Sequence, residues 1–225
     1  MILVKLEGGL GNQMFQYALA KKLSLKLNTE ILLDINLYTK DIALTHPRSY
    51  GLSHLNIKAK IATDKEIKNI RYRYGILIHK LFRRFESIVL QKKHIKFEKS
   101  IFNKSGDISL EGFWQSEKYF KDIREILLKD FTLKNQLSSS SKELKLKISN
   151  EQNSVSLHVR RTDYVANEHN IRFYGSHCNQ EYYTKALSMI CNKINTDNIH
   201  VFIFSDEIKW VKENLEIPYE KTYIS

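Results

Sequence analysis

The run Val155-Ser156-Leu157-His158-Val159-Arg160-Arg161-Thr162-Asp163-Tyr164 constrains this chain more than any other stretch. Val155, Leu157 and Val159 alternate with Ser156, His158 and Arg160, the period-two pattern of a strand. On such a strand His158 and Arg160 project from one face near the C-terminal end. Arg161 turns the other way, and Thr162 and Asp163 leave the sheet. In open α/β sheets, ligands bind beyond the carboxyl ends of strands. Two adjacent arginines there suit a phosphate or pyrophosphate, because guanidinium groups hold oxyanions through paired charge-assisted hydrogen bonds.

The start of the chain has the same logic. Residues 1–6 read as a buried strand, and Gly8-Gly9-Leu10-Gly11-Asn12-Gln13 as a glycine-rich turn. A helix follows, with Met14, Phe15, Ala18, Leu19 and Leu23 as its apolar stripe. Asn12 stands where an N-cap is expected. The glycines let backbone N–H groups approach a ligand, and the helix N-terminus adds a positive dipole end. Met14 replaces the third glycine of a dinucleotide fingerprint, and no Gly-Lys-Ser/Thr follows. On glycines alone, a tight turn with no ligand serves equally well. Ile31–Asp34 reads as the next strand, which makes a βαβ unit and a parallel sheet.

Downstream of Arg161 come a polar loop from Asn167 to Gly175, a helix from Glu181 to about Asn192, and a strand at His200–Phe204. Asp206 then sits at a strand's carboxyl end, as Arg160 does, so the two ends form one crevice. Residues 138–153, rich in Ser, Lys, Asn and Gln, mark a boundary between an N-terminal domain (1–137) and a C-terminal one (154–225). Ser138–Ser141 is either loop or the start of a short helix.

Two segments admit two readings each. Leu110–Ser116 is an aromatic strand-to-turn stretch, followed by a helix carrying Tyr119, Phe120, Ile123, Ile126 and Leu127. Trp114 and Gln115 there suit a sugar, ring against C–H face and amide to hydroxyls; equally, Trp114 is a core tryptophan. Residues 71–96 interleave apolar side chains with eight Lys or Arg residues against Glu86. Such a helix lies on an anionic membrane or packs on its own core with solvated cations.

Composition narrows the partners. The net charge of +11 favours anionic ones: nucleotide sugars, nucleic acid or an anionic membrane surface. No nucleic-acid motif supports the second. The two cysteines, Cys178 and Cys191, form no zinc pattern and read as reduced thiols of a cytoplasmic protein. The N-terminus is charged too early for a signal peptide, and no apolar run approaches a membrane span.

Four motifs occur in order: Gly8–Ala18, Gly112-Phe113-Trp114-Gln115-Ser116, His158–Tyr164 and Phe204-Ser205-Asp206. Together they resemble the bacterial galactoside α-1,2-fucosyltransferases over residues 1 to about 214. The resemblance implies an α/β, GT-B-like fold of two facing Rossmann-like domains. It implies inverting transfer of L-fucose from GDP-fucose to the 2-hydroxyl of a β-galactoside, with no metal or other cofactor. Arg160 would hold the pyrophosphate, and His158 and Asp206 the guanine end. Asn12 would lie near the reacting sugar, with Arg161, Gly9, Gly11, Trp114 and Gln115 as further substrate contacts. Asp163 is the nearest candidate base in the motif, with orientation of Arg161 as its alternative role. A lipid-linked surface glycan as acceptor would suit an enzyme at the inner face of the bacterial cytoplasmic membrane.

Three departures from the family pattern bear on this. Thr162 stands where glycine is usual, and Glu207 where a second aspartate is usual. The family continues with a further helix, strand and Ser/Trp-rich loop, so the second domain is expected to be incomplete here. The rival reading is a truncated, non-catalytic module that binds a nucleotide or glycan.

Overall fold

Among the described residues, two sets of short apolar strands assemble into two parallel sheets. A computed structural model describes residues 1–39, 48–72, 88–91, 96–162, 164–165, 168, 171–172 and 178–224. The chain divides into a unit of Met1–Gln136 and a unit of Leu137–Ser225.

The first unit runs β1 (Ile2–Lys5), α1 (Leu10–Leu27), β2 (Ile31–Asp34), α2 (Asn36–Thr39), β3 (Lys60–Ile61), α3 (Asp64–Arg71), β4 (Ile88–Leu90), β5 (Ile108–Glu111) and α4 (Arg124–Asp130). The strand order is β3-β2-β1-β5-β4, all parallel. Ile2, Leu3 and Val4 are fully buried, as a parallel sheet covered on both faces requires. Ile2 and Val4 share a core with Ala18, Leu19 and Leu23 of α1. Leu3 and Leu32 point the other way, against Ile67 and Ile70 of α3. Thr63 starts α3 with a capping box: its Oγ1 accepts from Glu66 N–H, and Glu66 accepts from Thr63 N–H.

Three local expectations change here. Helix α1 starts at Leu10 behind Gly9, with no side-chain cap, so Asn12 lies inside the first turn. After Ser116 the chain makes two 3₁₀ turns, Glu117–Tyr119 and Lys121–Ile123, before α4 begins. Ile88–Leu90, expected in a basic amphipathic helix, is instead a strand paired with β5. Its β-branched and apolar residues complete the sheet edge. Residues 73–87 and 92–95 of that segment lie outside the described residues.

The second unit runs α5 (Ser139–Asn150), β6 (Ser154–Val159), α6 (Gln180–Ile194), β7 (His200–Ser205), α7 (Ile208–Asn214) and β8 (Glu220–Ile224). Its strand order is β6-β7-β8, again parallel. The serine run is helical: Ser138 Oγ accepts from Ser141 N–H at 3.2 Å and starts α5. Asn179 starts α6 similarly, accepting from Tyr182 N–H at 2.9 Å. Tyr183, Leu187 and Cys191, four apart, form its buried stripe against Leu157, Val159, Val201 and Ile203.

One polar cluster is sealed in the first core. The Tyr17 hydroxyl donates to Asp130 Oδ2 at 2.6 Å and accepts from Lys58 N–H at 3.0 Å. Lys21 Nζ lies 3.0 Å from the same Asp130 oxygen, and both side chains are at least nine-tenths buried. Burial and the Asp130 carboxylate push the Tyr17 pKa up, so the hydroxyl stays a donor. Removing one member of a buried pair leaves an uncompensated charge. Asp130→Ala should therefore lower the unfolding free energy by about 3–5 kcal/mol. Tyr17→Phe, which strands no charge, should cost about 1 kcal/mol. Urea denaturation of both variants checks the ranking; equal losses would contradict it.

Candidate functional site

In the second unit the site is built by strand register. Strands β6 and β7 pair so that His158 faces Phe204 and Val159 faces Ser205. Both strands therefore end together, and the chain after Val159 emerges beside Asp206. Asp206 Oδ1 accepts from Arg161 N–H at 2.9 Å, and Oδ2 accepts from Thr162 N–H at 3.2 Å. Partial burial acts to raise the Asp206 pKa, but hydrogen bonds from Thr162 and from the Arg161 amide outweigh it and hold the carboxyl below its usual range. The carboxylate thus clamps the turn in which the two arginines diverge.

Alternation decides which way each arginine points. Leu157 and Val159 face the core, whereas His158 and Arg160 are exposed on the opposite face. The Arg160 guanidinium stacks 4.6 Å from the centre of the Tyr164 ring. Arg161 turns away: its Nε bonds Glu207 Oε2 at 3.1 Å, and its guanidinium covers Trp210 at 3.4 Å from the ring centre. A pocket of about 290 Å³ opens there, lined by His158, Arg160, Tyr164, Cys178, Tyr183 and Trp210 among others. Burial, with a smaller contribution from Cys178, pushes the Tyr183 hydroxyl up to about 12, so it enters the pocket wall protonated.

In the first unit β1 and β5 are neighbours, and the chain leaving each carries a motif. Asn12 Oδ1 accepts from Gln115 Nε2 at 2.8 Å, so the glycine turn and the aromatic turn meet through these two amides. Gly8 has φ +77°, and a Cβ there would lie 2.3 Å from Asn12 Nδ2, which explains glycine at that position. A Cβ at Gly9 or Gly11 would meet nothing within 4 Å, leaving the backbone open to a ligand. Burial, then the Glu7 charge, pushes the Tyr38 hydroxyl up to about 12; it donates to Gly8 O at 2.9 Å.

Three glutamines, none singled out from the sequence, fasten these turns. Gln13 donates to Gly8 O and Ser49 O and accepts from Gly51 N–H. Gln16 accepts from Glu7 N–H and donates to Gly112 O. Gln91 accepts from both Phe113 N–H and Trp114 N–H. Those last two bonds hold Trp114 at φ +55°, a left-handed conformation that is costly for a bulky residue. A polar residue on the buried side of an apolar helix was the available signal for Gln13 and Gln16. Gln91 had none.

Several sequence expectations need correction. Trp114 is fully buried, edge-on to Tyr119 with ring centres 5.7 Å apart, so its ring belongs to the core and offers no face to a sugar. Arg161 lines the same pocket, but its guanidinium also supports the turn through Glu207 and Trp210. Both Asp206 oxygens are taken by the backbone of that turn, so its first role is to shape it. Thr162 keeps a negative φ while its side chain bonds Asp206. Asp163 lies outside the described residues. Among the described residues no three His, Cys, Asp or Glu side chains gather as metal ligands.

A family model described as glycosyl transferase family 11 matches residues 1–225. An alpha-1,2-colitosyltransferase of Escherichia coli is 32% identical over 219 residues, covering 95% of this chain and 71% of that protein. The O-antigen biosynthesis glycosyltransferase WbnK of Escherichia coli is 31% identical over 228 residues, covering 92% and 73%. The solved structure of the fucosyltransferase NodZ from Bradyrhizobium superposes with TM-score 0.50 at 11% identity, covering 100% of this chain and 78% of that one. An Arabidopsis thaliana FUT1 variant in complex with GDP gives 0.50 at 10% identity, covering 100% and 59%. At such identities the likeness is one of fold, and the fold class is α/β and GT-B-like. On the full-length family match and these relatives, the chain belongs to glycosyl transferase family 11 and is a glycosyltransferase of the fucosyl- and colitosyltransferase type.

Proposed function

We propose that the chain transfers L-fucose from GDP-fucose to the 2-hydroxyl of a β-galactoside, with inversion and without a metal. The observation that carries this reading is the exposed Arg160 beside His158, on a turn clamped by Asp206 at the joint end of β6 and β7. The name of the colitosyltransferase relative supports the α-1,2 linkage, and the GDP held by the FUT1 variant supports a guanosine diphosphate donor.

The chemistry divides among residues as follows. The acceptor oxygen attacks the anomeric carbon while the bond from that carbon to the β-phosphate oxygen breaks. Negative charge grows on the β-phosphate, and Arg160, fixed in a partly enclosed pocket, opposes it where a metal-dependent transferase would place a divalent ion. His158 and Tyr183 form the wall for the rest of the nucleotide. Within the first unit, Asn12, oriented by Gln115, and the open backbone at Gly9 and Gly11 offer hydrogen-bonding groups suited to sugar hydroxyls. The proton lost by the acceptor needs a general base, and Asp163 is the nearest candidate in the motif, with orientation of Arg161 as its alternative role. A cytoplasmic location and a lipid-linked acceptor belong to the same reading.

A second reading is transfer of colitose, the 3-deoxy analogue of fucose, favoured by the relative of that name. Calorimetric titration with GDP and GDP-fucose in EDTA, followed by transfer assays with both sugar nucleotides and β-galactosides, separates the two. Arg160→Ala should weaken GDP binding roughly ten- to a hundredfold, the range for a lost charge-assisted contact, with the fold intact. Unchanged affinity in a folded variant would contradict the assignment. Binding without transfer to any acceptor would favour the non-catalytic module.

The clamp makes a separate prediction. Asp206 has a lowered pKa in the folded chain, so its contribution is complete above the unfolded carboxylate value of about 3.9 and is lost as pH falls through the lower folded value. GDP affinity should hold down to about pH 4 as far as this group is concerned. Asp206→Asn offers one acceptor oxygen to two amides, and should weaken GDP binding roughly three- to tenfold at neutral pH. Titrations of both proteins between neutral and acid pH check this; equal affinities at neutral pH would contradict it.

A further inference from the structure

The first unit holds a second concavity, apart from the glycine turn. It is about 710 Å³ in volume and is lined by Lys22, Lys26, Lys99, Lys118, Lys121 and Asp122 around Phe97, Phe102 and Tyr119. Phe97 and Phe102, both half-buried, form its floor over the buried Tyr119: Phe97 lies 4.8 Å from Tyr119 and 6.4 Å from Phe102, centre to centre. Lys22 and Lys26 stand in the last third of α1, about 15–20 Å along the helix from Asn12. The groove is therefore remote from the glycine turn.

Its charge is unbalanced. Lys22 pairs with Asp122, and Lys26 donates to the Phe102 carbonyl. Among the described residues no hydrogen bond or ion pair engages the ammonium groups of Lys99, Lys118 or Lys121. Five cations around one concavity, with a single carboxylate, repel each other until an anion enters. An ammonium group is a compact point charge, well matched to phosphoryl oxygens. The aromatic floor adds a surface for an apolar or C–H-rich body next to that charge.

We propose that this groove is a second anion site, for a phosphoryl group joined to an apolar or sugar body. Such a group arrives on an anionic phospholipid at a membrane surface or on a soluble phosphate compound. In either case Lys99, Lys118 and Lys121 take the phosphoryl oxygens, and the half-buried Phe97 and Phe102 rings, backed by the buried Tyr119, take what is attached. The site stands independently of the donor reading, since none of its residues belongs to the second unit.

The test uses the whole chain carrying Arg160→Ala, which silences the proposed donor pocket, and the same protein with Lys99→Ala and Lys121→Ala added. Both lysines are exposed, and an unchanged thermal transition confirms that the fold persists. Inorganic pyrophosphate is titrated by calorimetry. Vesicles of phosphatidylcholine with phosphatidylglycerol, and of phosphatidylcholine alone, are co-sedimented. The Arg160→Ala protein should bind pyrophosphate, the phosphatidylglycerol vesicles or both, and losing two lysines should weaken that binding roughly thirtyfold. Pyrophosphate binding identifies a soluble source; binding to phosphatidylglycerol vesicles alone identifies the lipid. Binding of neither probe overturns the proposal. So does binding that the lysine substitutions leave undiminished, because it then reflects the overall +11 charge. GDP titrated into wild-type protein and the lysine variant without Arg160→Ala reports on the donor pocket separately.

Discussion

Everything specific in the second unit depends on one carboxylate. Asp206 stands immediately after β7 and accepts from two consecutive backbone amides immediately after β6. Parallel register sets the distance, since Val159 and Ser205 are paired and both strands stop there. Without that clamp the chain after Val159 has no fixed direction, and the arginine pair has no fixed division of labour. With it, Arg161 is driven onto Glu207 and Trp210, and Arg160 is left facing the pocket. A charged clamp is an economical device, because one short side chain satisfies two amides that the end of a strand leaves unpaired.

The first unit solves the same problem with neutral amides. Gln13, Gln16 and Gln91 each bind two or more backbone groups of turns that follow different strands. Glutamine suits this work because it donates and accepts at once, at the end of a side chain long enough to reach from a helix to a neighbouring loop. Gln13 and Gln16 are fully buried, where an unpaired amide would be costly, so each holds its turns tightly. The outcome is a contact at the surface, Asn12 with Gln115, backed by that layer of side chains. The strained backbone at Trp114 is tolerated because the same layer surrounds it.

The sequence was most legible where periodicity and strand ends decide the structure. Alternation at 155–160 placed His158 and Arg160 together and turned Arg161 aside, and the apolar runs at 2–5, 31–34 and 200–204 marked parallel strands. It was least legible where long-range contacts override local pattern. Asn12 looks like a cap, but Gly9 already starts the helix and Gln115, more than a hundred residues away, captures the amide. Trp114 reads equally as sugar platform or core residue until its packing on Tyr119 is seen. Ile88–Leu90 sits in a basic amphipathic pattern but becomes a strand, because β5 offers an edge. The lysine groove draws on three separated segments, and no window of sequence contains it.

The most direct test of the central claim is amide hydrogen exchange across the whole chain, with and without saturating GDP. Bound at the end of β6, GDP should slow exchange in peptides spanning Val159–Val165 and Ser205–Trp210, where the Asp206 clamp and the Arg161 stack lie. Protection confined to segments outside 155–210, with the clamp peptides exchanging as in the free protein, would contradict the placement of the donor site.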